Sequence, residues 1–290
     1  MIKLLKLEFI KLFSYKTFIV LIILYCVLLT LSLVGTNGFL SSIGTSINSS
    51  IVKEAPNHHS VNPKTNAKLS KDVNLTQLPI SNKFDIFKFP DVWHNISYIA
   101  SWFSFLLAFI VIINISNEYS FKTIRSNIMN GLSRLDFIFS KLMFVLLLSI
   151  ASSIFVFLLC LIFGLISSSS YGSIFENSGF IFGYFIQVIT YLSFALFIGV
   201  LVKKSGFAIV LLLLYSIIIE PLAAGLLRNS IGHYLPLSNL NSLIDFPFLK
   251  YFTISWGADI FEFNINIIIC VFYCLIFMGT TFLVIKKSDL

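Results

Sequence analysis

Charge is what this chain has least of. Only 11% of its 290 residues are Asp, Glu, Lys or Arg, against about 25% in a soluble domain. With 57% hydrophobic residues and a mean hydropathy of +0.93, a water-soluble globule is excluded and an integral membrane protein is implied. Histidine and cysteine number four each. Cys26, Cys160, Cys270 and Cys274 all lie inside apolar runs. Cys270 and Cys274 are one helical turn apart, but no His or carboxylate joins them at metal-ligand spacing, so all four read as small packing residues. His58 and His59 are adjacent in a polar stretch and cannot both face one metal from a regular element. There is no GxxxxGK[ST], no HExxH and no GxSxG, which removes P-loop nucleotide binding and the zinc-protease and serine-hydrolase readings. The formal charge of +7 does not indicate nucleic acid, because the basic residues sit at the ends of apolar runs rather than on one polar face.

Apolar runs are what is there. Residues 17–34, 96–115, 142–166, 180–202 and 265–285 are each long and apolar enough to predict a transmembrane helix, for which about 20 residues suffice. Before the first run, residues 1–16 (MIKLLKLEFIKLFSYK) place Ile2, Leu5, Phe9 and Phe13 on one face and Lys3, Lys6 and Lys11 on the other, the pattern of an interfacial amphipathic helix. A signal peptide is disfavoured by the length of the run and the lack of a clear small-x-small cleavage pattern. Residues 35–91 are polar, hold Pro56, Pro63, Pro79 and Pro90, and predict a long loop outside the membrane. Its aromatic end, residues 84–93, suits a membrane-interface belt.

The fifth run is different. Residues 207–219 are short for a crossing, and Glu220-Pro221 follows. Proline removes a backbone donor and disfavours helix for the residue before it, so the sequence predicts a broken fifth helix with a re-entrant or interfacial segment within 220–263. Glu220 is the best candidate for an ionisable group at membrane depth. Two readings stand side by side: a gate or substrate contact, or a solvated carboxylate at the outer interface. The basic residues set the orientation. With both termini in the cytoplasm, the inner segments hold Lys3, Lys6, Lys11, Lys16, Lys122, Arg125, Arg134, Lys141, Lys203, Lys204, Lys286 and Lys287, and the loop between spans three and four holds no Lys or Arg.

Residues 117–141, NEYSFKTIRSNIMNGLSRLDFIFSK, bear charge between two strongly apolar runs. Phe121, Ile124, Ile128, Leu132 and Leu135 recur at steps of three and four and make an apolar stripe, while Lys122 and Arg125 fall off it. Two readings fit: a surface-lying amphipathic helix, or a basic loop that only sets topology. Ser133 is placed to cap the third helix, whose first turn includes Asp136.

Six spans, an N-terminal amphipathic helix and a charged helix between spans two and three resemble the ABC-2 type exporter permeases. The resemblance is to the small bacterial members of bacitracin-resistance, lantibiotic-immunity and sodium-export type. Their loose pattern is matched by Glu118, Thr123-Ile124-Arg125, Gly131-Leu132-Ser133-Arg134 and Ser140-Lys141. Lys122 stands where many members have glycine, and the loop 35–91 is longer than in the smallest members. The resemblance covers the whole chain in architecture and about 25 residues in motif.

It implies an all-α, single-domain permease over 1–290, with residues 117–136 as a cytoplasmic coupling helix. Glu118, Phe121, Lys122, Ile124, Arg125, Ile128, Gly131 and Arg134 are the implied contacts with a separate P-loop ATPase subunit. That partner would bind ATP and Mg; this chain would bind no cofactor or metal and catalyse nothing. A second permease, the same or related, would complete the pore in a bacterial inner membrane, with Glu220 and Pro221 at its outer gate. The expected cargo is amphipathic, such as an antimicrobial peptide or drug, with sodium export as the alternative. A secondary carrier using Glu220 and a non-transporting scaffold are the competing functions. The carrier would be favoured by inverted repeats, and none is visible.

Overall fold

The computed structural model describes residues 15–54, 87–123, 129, 133–167, 174–227, 232–245, 247 and 263–287, with 37, 39–54, 134, 263–264 and 287 described by backbone alone. The expected N-terminal amphipathic helix, residues 1–14 of it, lies outside them. Every regular element among the described residues is helical. They are α1 (Lys16–Glu54), α2 (Val92–Trp102), α3 (Ser104–Ser120), α4 (Arg134–Ser167), α5 (Gly179–Val202), α6 (Ser205–Leu214), α7 (Glu220–Leu226), α8 (Pro236–Ser242) and α9 (Phe263–Lys287). Five helical stretches are long and apolar enough to cross a membrane: Lys16–Thr36, Leu135–Ser167, Gly179–Val202, Ser205–Leu226 and Ile265–Lys286. The pair α2 and α3, bent by 42°, makes a sixth.

The chain divides into two compact units, one of Met1–Thr30 with Phe87–Leu290 and one of Leu31–Ile86. In the smaller unit the described residues are helical as far as Glu54, so the first part of the expected loop 35–91 continues the helix instead. In the larger unit α5 is the centre. It packs against α2, α3, α4, α6 and α9, and both its apolar and its polar residues are buried. The outer faces of α6 and α9 are apolar and exposed at Phe207, Val210, Leu211, Ile268, Phe272 and Leu275, the surface a bilayer solvates and water does not.

Lipid supplies no hydrophobic drive between helices, so close approach and hydrogen bonds hold the bundle. Gly199 on α5 lets α3 come near: a Cβ there would stand 2.5 Å from the Ile115 side chain. A buried triangle joins three helices, with Tyr25 Oη 2.9 Å from Tyr184 Oη and 3.2 Å from Ser152 Oγ, and Ser152 Oγ 2.7 Å from Tyr184 Oη. Each such bond adds about 0.6 kcal/mol in a membrane bundle.

Three expectations change. The break falls in the second span, at Phe103, and not in the fifth. Ser101 Oγ lies 2.8 Å from both the Ser97 carbonyl oxygen and Gln187 Oε1, sharing its one proton between them, and the Phe103 N–H bonds back to Ala100. Serine back-bonding of this kind bends helices. The fifth span runs through Glu220-Pro221 as one helical path, Ser205–Leu226. A π-helical turn, Tyr215–Ile219, comes just before the proline, and the Glu220 N–H bonds to the Tyr215 carbonyl. The wider turn gives room where a proline ring would clash with a carbonyl of the preceding turn. The chain then returns as α8, which packs on α5 and α9. Finally, of the stretch 84–93 expected to form a belt, Phe87 and Trp93 turn inward: they are buried, 5.2 Å from Phe163 and 5.4 Å from Phe157 between ring centroids.

Candidate functional site

The charged segment between spans two and three is built from its two ends. α3 stops at Ser120. The Phe121 N–H bonds to Asn117 O, the Lys122 N–H bonds to Tyr119 O, and the Thr123 hydroxyl donates to the Glu118 carbonyl at 3.3 Å. Lys122 takes a left-handed conformation, φ 52°. That region favours glycine, so a lysine there holds a backbone that glycine would adopt without strain. At the other end Ser133 starts α4 with a reciprocal cap: the Asp136 N–H donates to Ser133 Oγ at 3.0 Å, and Ser133 Oγ donates to Asp136 Oδ2 at 2.6 Å. Both partners are three residues apart, which is why the sequence shows this cap in advance.

Inside the bundle the same two helices are bolted together. Lys141 Nζ on α4 lies 2.8 Å from Glu118 Oε1 and 3.0 Å from Asn114 Oδ1, both on α3. All three residues are buried. Lys141 also lies over the Phe137 ring, 5.6 Å from its centroid. Beside this cluster, Lys203 at the end of α5 covers the Tyr119 ring at 5.4 Å. The ends of α3, α4 and α5 are therefore tied by charge to one another, and the segment from Lys122 to Ser133 leaves from that anchored base.

The expected contact residues divide. Phe121 and Lys122 are exposed, as a docking surface requires, and so are Met129 and Leu135. Glu118, expected among these contacts, is 4% exposed and paired with Lys141 inside the chain. Three residues before the end of α3, it faces α4 rather than the surface. Lys141 is buried for the same reason. Ile124, Arg125, Ile128 and Gly131 lie outside the described residues, and Arg134 is placed at the start of α4 by its backbone alone. Sequence reasoning missed Asn114, although a polar residue one turn before Glu118 on an apolar helix was the available signal.

Glu220 is the second centre. It is 2% exposed, which removes the reading as a solvated interface carboxylate. Its Oε1 accepts the backbone N–H of Leu237 and of Ser238, the latter at 2.8 Å, at the start of α8. α8 is in turn fixed to α9, where Asn239 Nδ2 donates to Asn266 Oδ1 at 3.1 Å and Cys270 Sγ donates to Asn239 Oδ1 at 2.9 Å. Pro221 follows Glu220 and is exposed, and its missing N–H falls just after the π-helical turn. The four cysteines are all free thiols, and among the described residues no three His, Cys, Asp or Glu are grouped to hold a metal.

Apolar outer faces, a buried polar interior and six candidate spans define a multi-pass helical membrane protein. The chain belongs to DUF2705, a family of proteins of unknown function whose model matches residues 75–290. No curated protein matches it.

Proposed function

We propose that this chain is the permease subunit of an ATP-driven exporter of the ABC-2 type. The observation that carries the reading is the buried Glu118–Lys141 pair under an exposed turn. A docking segment must pass a push from its partner to the spans behind it. Here the two ends of the segment are joined inside the bundle at 2.8 Å, while Phe121 and Lys122 stay exposed at the tip side. Movement of residues 122–133 would pull on spans two and three together. The left-handed backbone at Lys122 and the Ser133 cap add local support for the matched motif.

In this reading the end of the bundle bearing Lys16, Lys122, Lys203, Lys204 and Lys286 faces the cytoplasm of a bacterial cell, as do both termini. A separate P-loop ATPase docks on the apolar stripe of Phe121, Ile124 and Ile128, with Lys122, Arg125 and Arg134 meeting its acidic rim. A second permease completes the pathway. The secondary-carrier reading has less support, because Glu220 would have to trade partners while one of its oxygens holds two backbone N–H groups.

The test is co-purification. Tagged wild-type chain, drawn from its native membrane, should bring down a Mg-dependent ATPase. Ile124→Asp and Arg125→Glu should each lose that ATPase while staying in the membrane. Retained ATPase and transport in both variants would remove the coupling role.

A further inference from the structure

The second, fifth and sixth spans each pack against α5, and residues 232–245 tie the three together at one end. This stretch is a helical turn, Gly232–Tyr234, followed by α8 and the residues up to Asp245. Its apolar side chains Leu237, Leu240, Leu243 and Ile244 are buried, and α8 packs on α5 and α9. Polar bonds fasten it on three sides. From the fifth span, Glu220 Oε1 accepts the Leu237 and Ser238 amides. From α9, Tyr273 Oη donates to the Tyr234 carbonyl at 2.7 Å, and Asn266 Nδ2 donates to the Ser242 carbonyl at 3.4 Å. From α2, His94 Nε2 lies 2.8 Å from the Asp245 carbonyl oxygen; a carbonyl only accepts, so Nε2 carries a proton.

The fastenings are not equally protected. α8 has seven residues, and isolated helices shorter than about 12–15 residues are marginal in water. It therefore keeps its shape while docked, and its release is a local unfolding that leaves the bundle intact. At its start the bonds are sealed: Glu220, Leu237, Asn239 and Leu240 are all buried. Asp245, at its other end, is exposed. Water can replace the bond to His94 there, and is kept from the bonds to Glu220. The imidazole is held ready for that carbonyl by α5, because it lies flat on the Phe180 ring at 4.2 Å and 9°. His94 sits in the first turn of α2 and Glu118 in the last turn of α3, so the Asp245 bond and the Glu118–Lys141 pair stand at opposite ends of one bent span.

We propose that residues 232–245 form a releasable clasp that holds span two to spans five and six, and that the His94–Asp245 bond is where it opens. As a step in export, opening rests on the function proposed above; the clasp itself requires neither ATP nor a second chain.

The test is hydrogen–deuterium exchange, read by mass spectrometry on the purified full chain in lipid nanodiscs with all samples at one pH. In the wild type the amides of 237–243 should exchange by local opening, ahead of the α5 amides of 186–198. His94→Phe keeps a flat ring against Phe180 and removes the donor. It should speed exchange over 237–243 about threefold or more, the size of one lost hydrogen bond. His94→Gln loses the flat ring and keeps an N–H at similar reach, and should stay within about twofold of the wild type. Exchange in α5 should be unchanged in both, whereas a residue that only supports the bundle would speed α5 in step. Wild-type amides of 237–243 as protected as α5, unchanged exchange in His94→Phe, equal acceleration in both variants, or acceleration of α5 in step overturns the clasp. If a variant fails to fold, the wild-type comparison decides. None of these outcomes involves the ATPase, so they leave the co-purification test untouched. A failed co-purification removes the export step and leaves the exchange result standing.

Discussion

Removing Lys141 gives the sharpest test of how the bundle holds its charged segment. Its ammonium and the Glu118 carboxylate are 2% and 5% exposed and 2.8 Å apart. Lys141→Met leaves the Glu118 carboxylate buried without its cation, a change that costs about 3–5 kcal/mol. Glu118→Gln is milder, about 1.5–3 kcal/mol, because Lys141 keeps its bond to Asn114 Oδ1 at 3.0 Å and can meet the new amide oxygen. The double variant removes both charges, and a buried pair replaced whole is often nearly neutral, so it should be more stable than Lys141→Met alone. At roughly 2–4 °C per kcal/mol, Lys141→Met should lower the unfolding midpoint by about 6–20 °C. The assay is thermal unfolding of the purified chain in detergent, with all variants heated at one rate because unfolding of such proteins is often irreversible. A double variant that loses the full sum of the single losses would refute the pairing. So would Lys141→Met melting within about 2 °C of the wild type.

Ser133→Ala removes both bonds of the cap on α4 and should cost about 1 kcal/mol, while Ser133→Thr should keep most of it; the same melting assay reads both. Lys122→Gly relieves a left-handed backbone at φ 52° and should raise the midpoint, whereas Lys122→Val should lower it, with about 1–2 kcal/mol at stake in the conformation. If Gly and Val shift the midpoint in the same direction, the left-handed turn is not what decides stability there.

The parts of the fold that depend on neighbours in the chain were legible in the sequence. Apolar length located the spans that match Gly179–Val202 and Ile265–Lys286 to within a residue or two. The Ser133 cap needs only a partner three residues on, so spacing alone showed it. Chain punctuation was less reliable. Pro221 suggested a break, but a π-helical turn absorbed the proline and the span continued, while Ser101, whose hydroxyl bonds back to the Ser97 carbonyl just before the bend at Phe103, is too common a residue type to stand out.

What the sequence by itself determined is therefore the class: too little charge for water, enough apolar runs for six crossings, and basic residues gathered at one end of them. It also marked Glu118 and Glu220 as the acids to examine. Only the tertiary structure decided where they point. A transmembrane helix is apolar on every face, so its sequence does not show which face meets lipid and which meets a neighbouring helix. That rotation turns Glu118 inward onto Lys141, and brings Glu220 under α8, where its carboxylate holds the Leu237 and Ser238 amides.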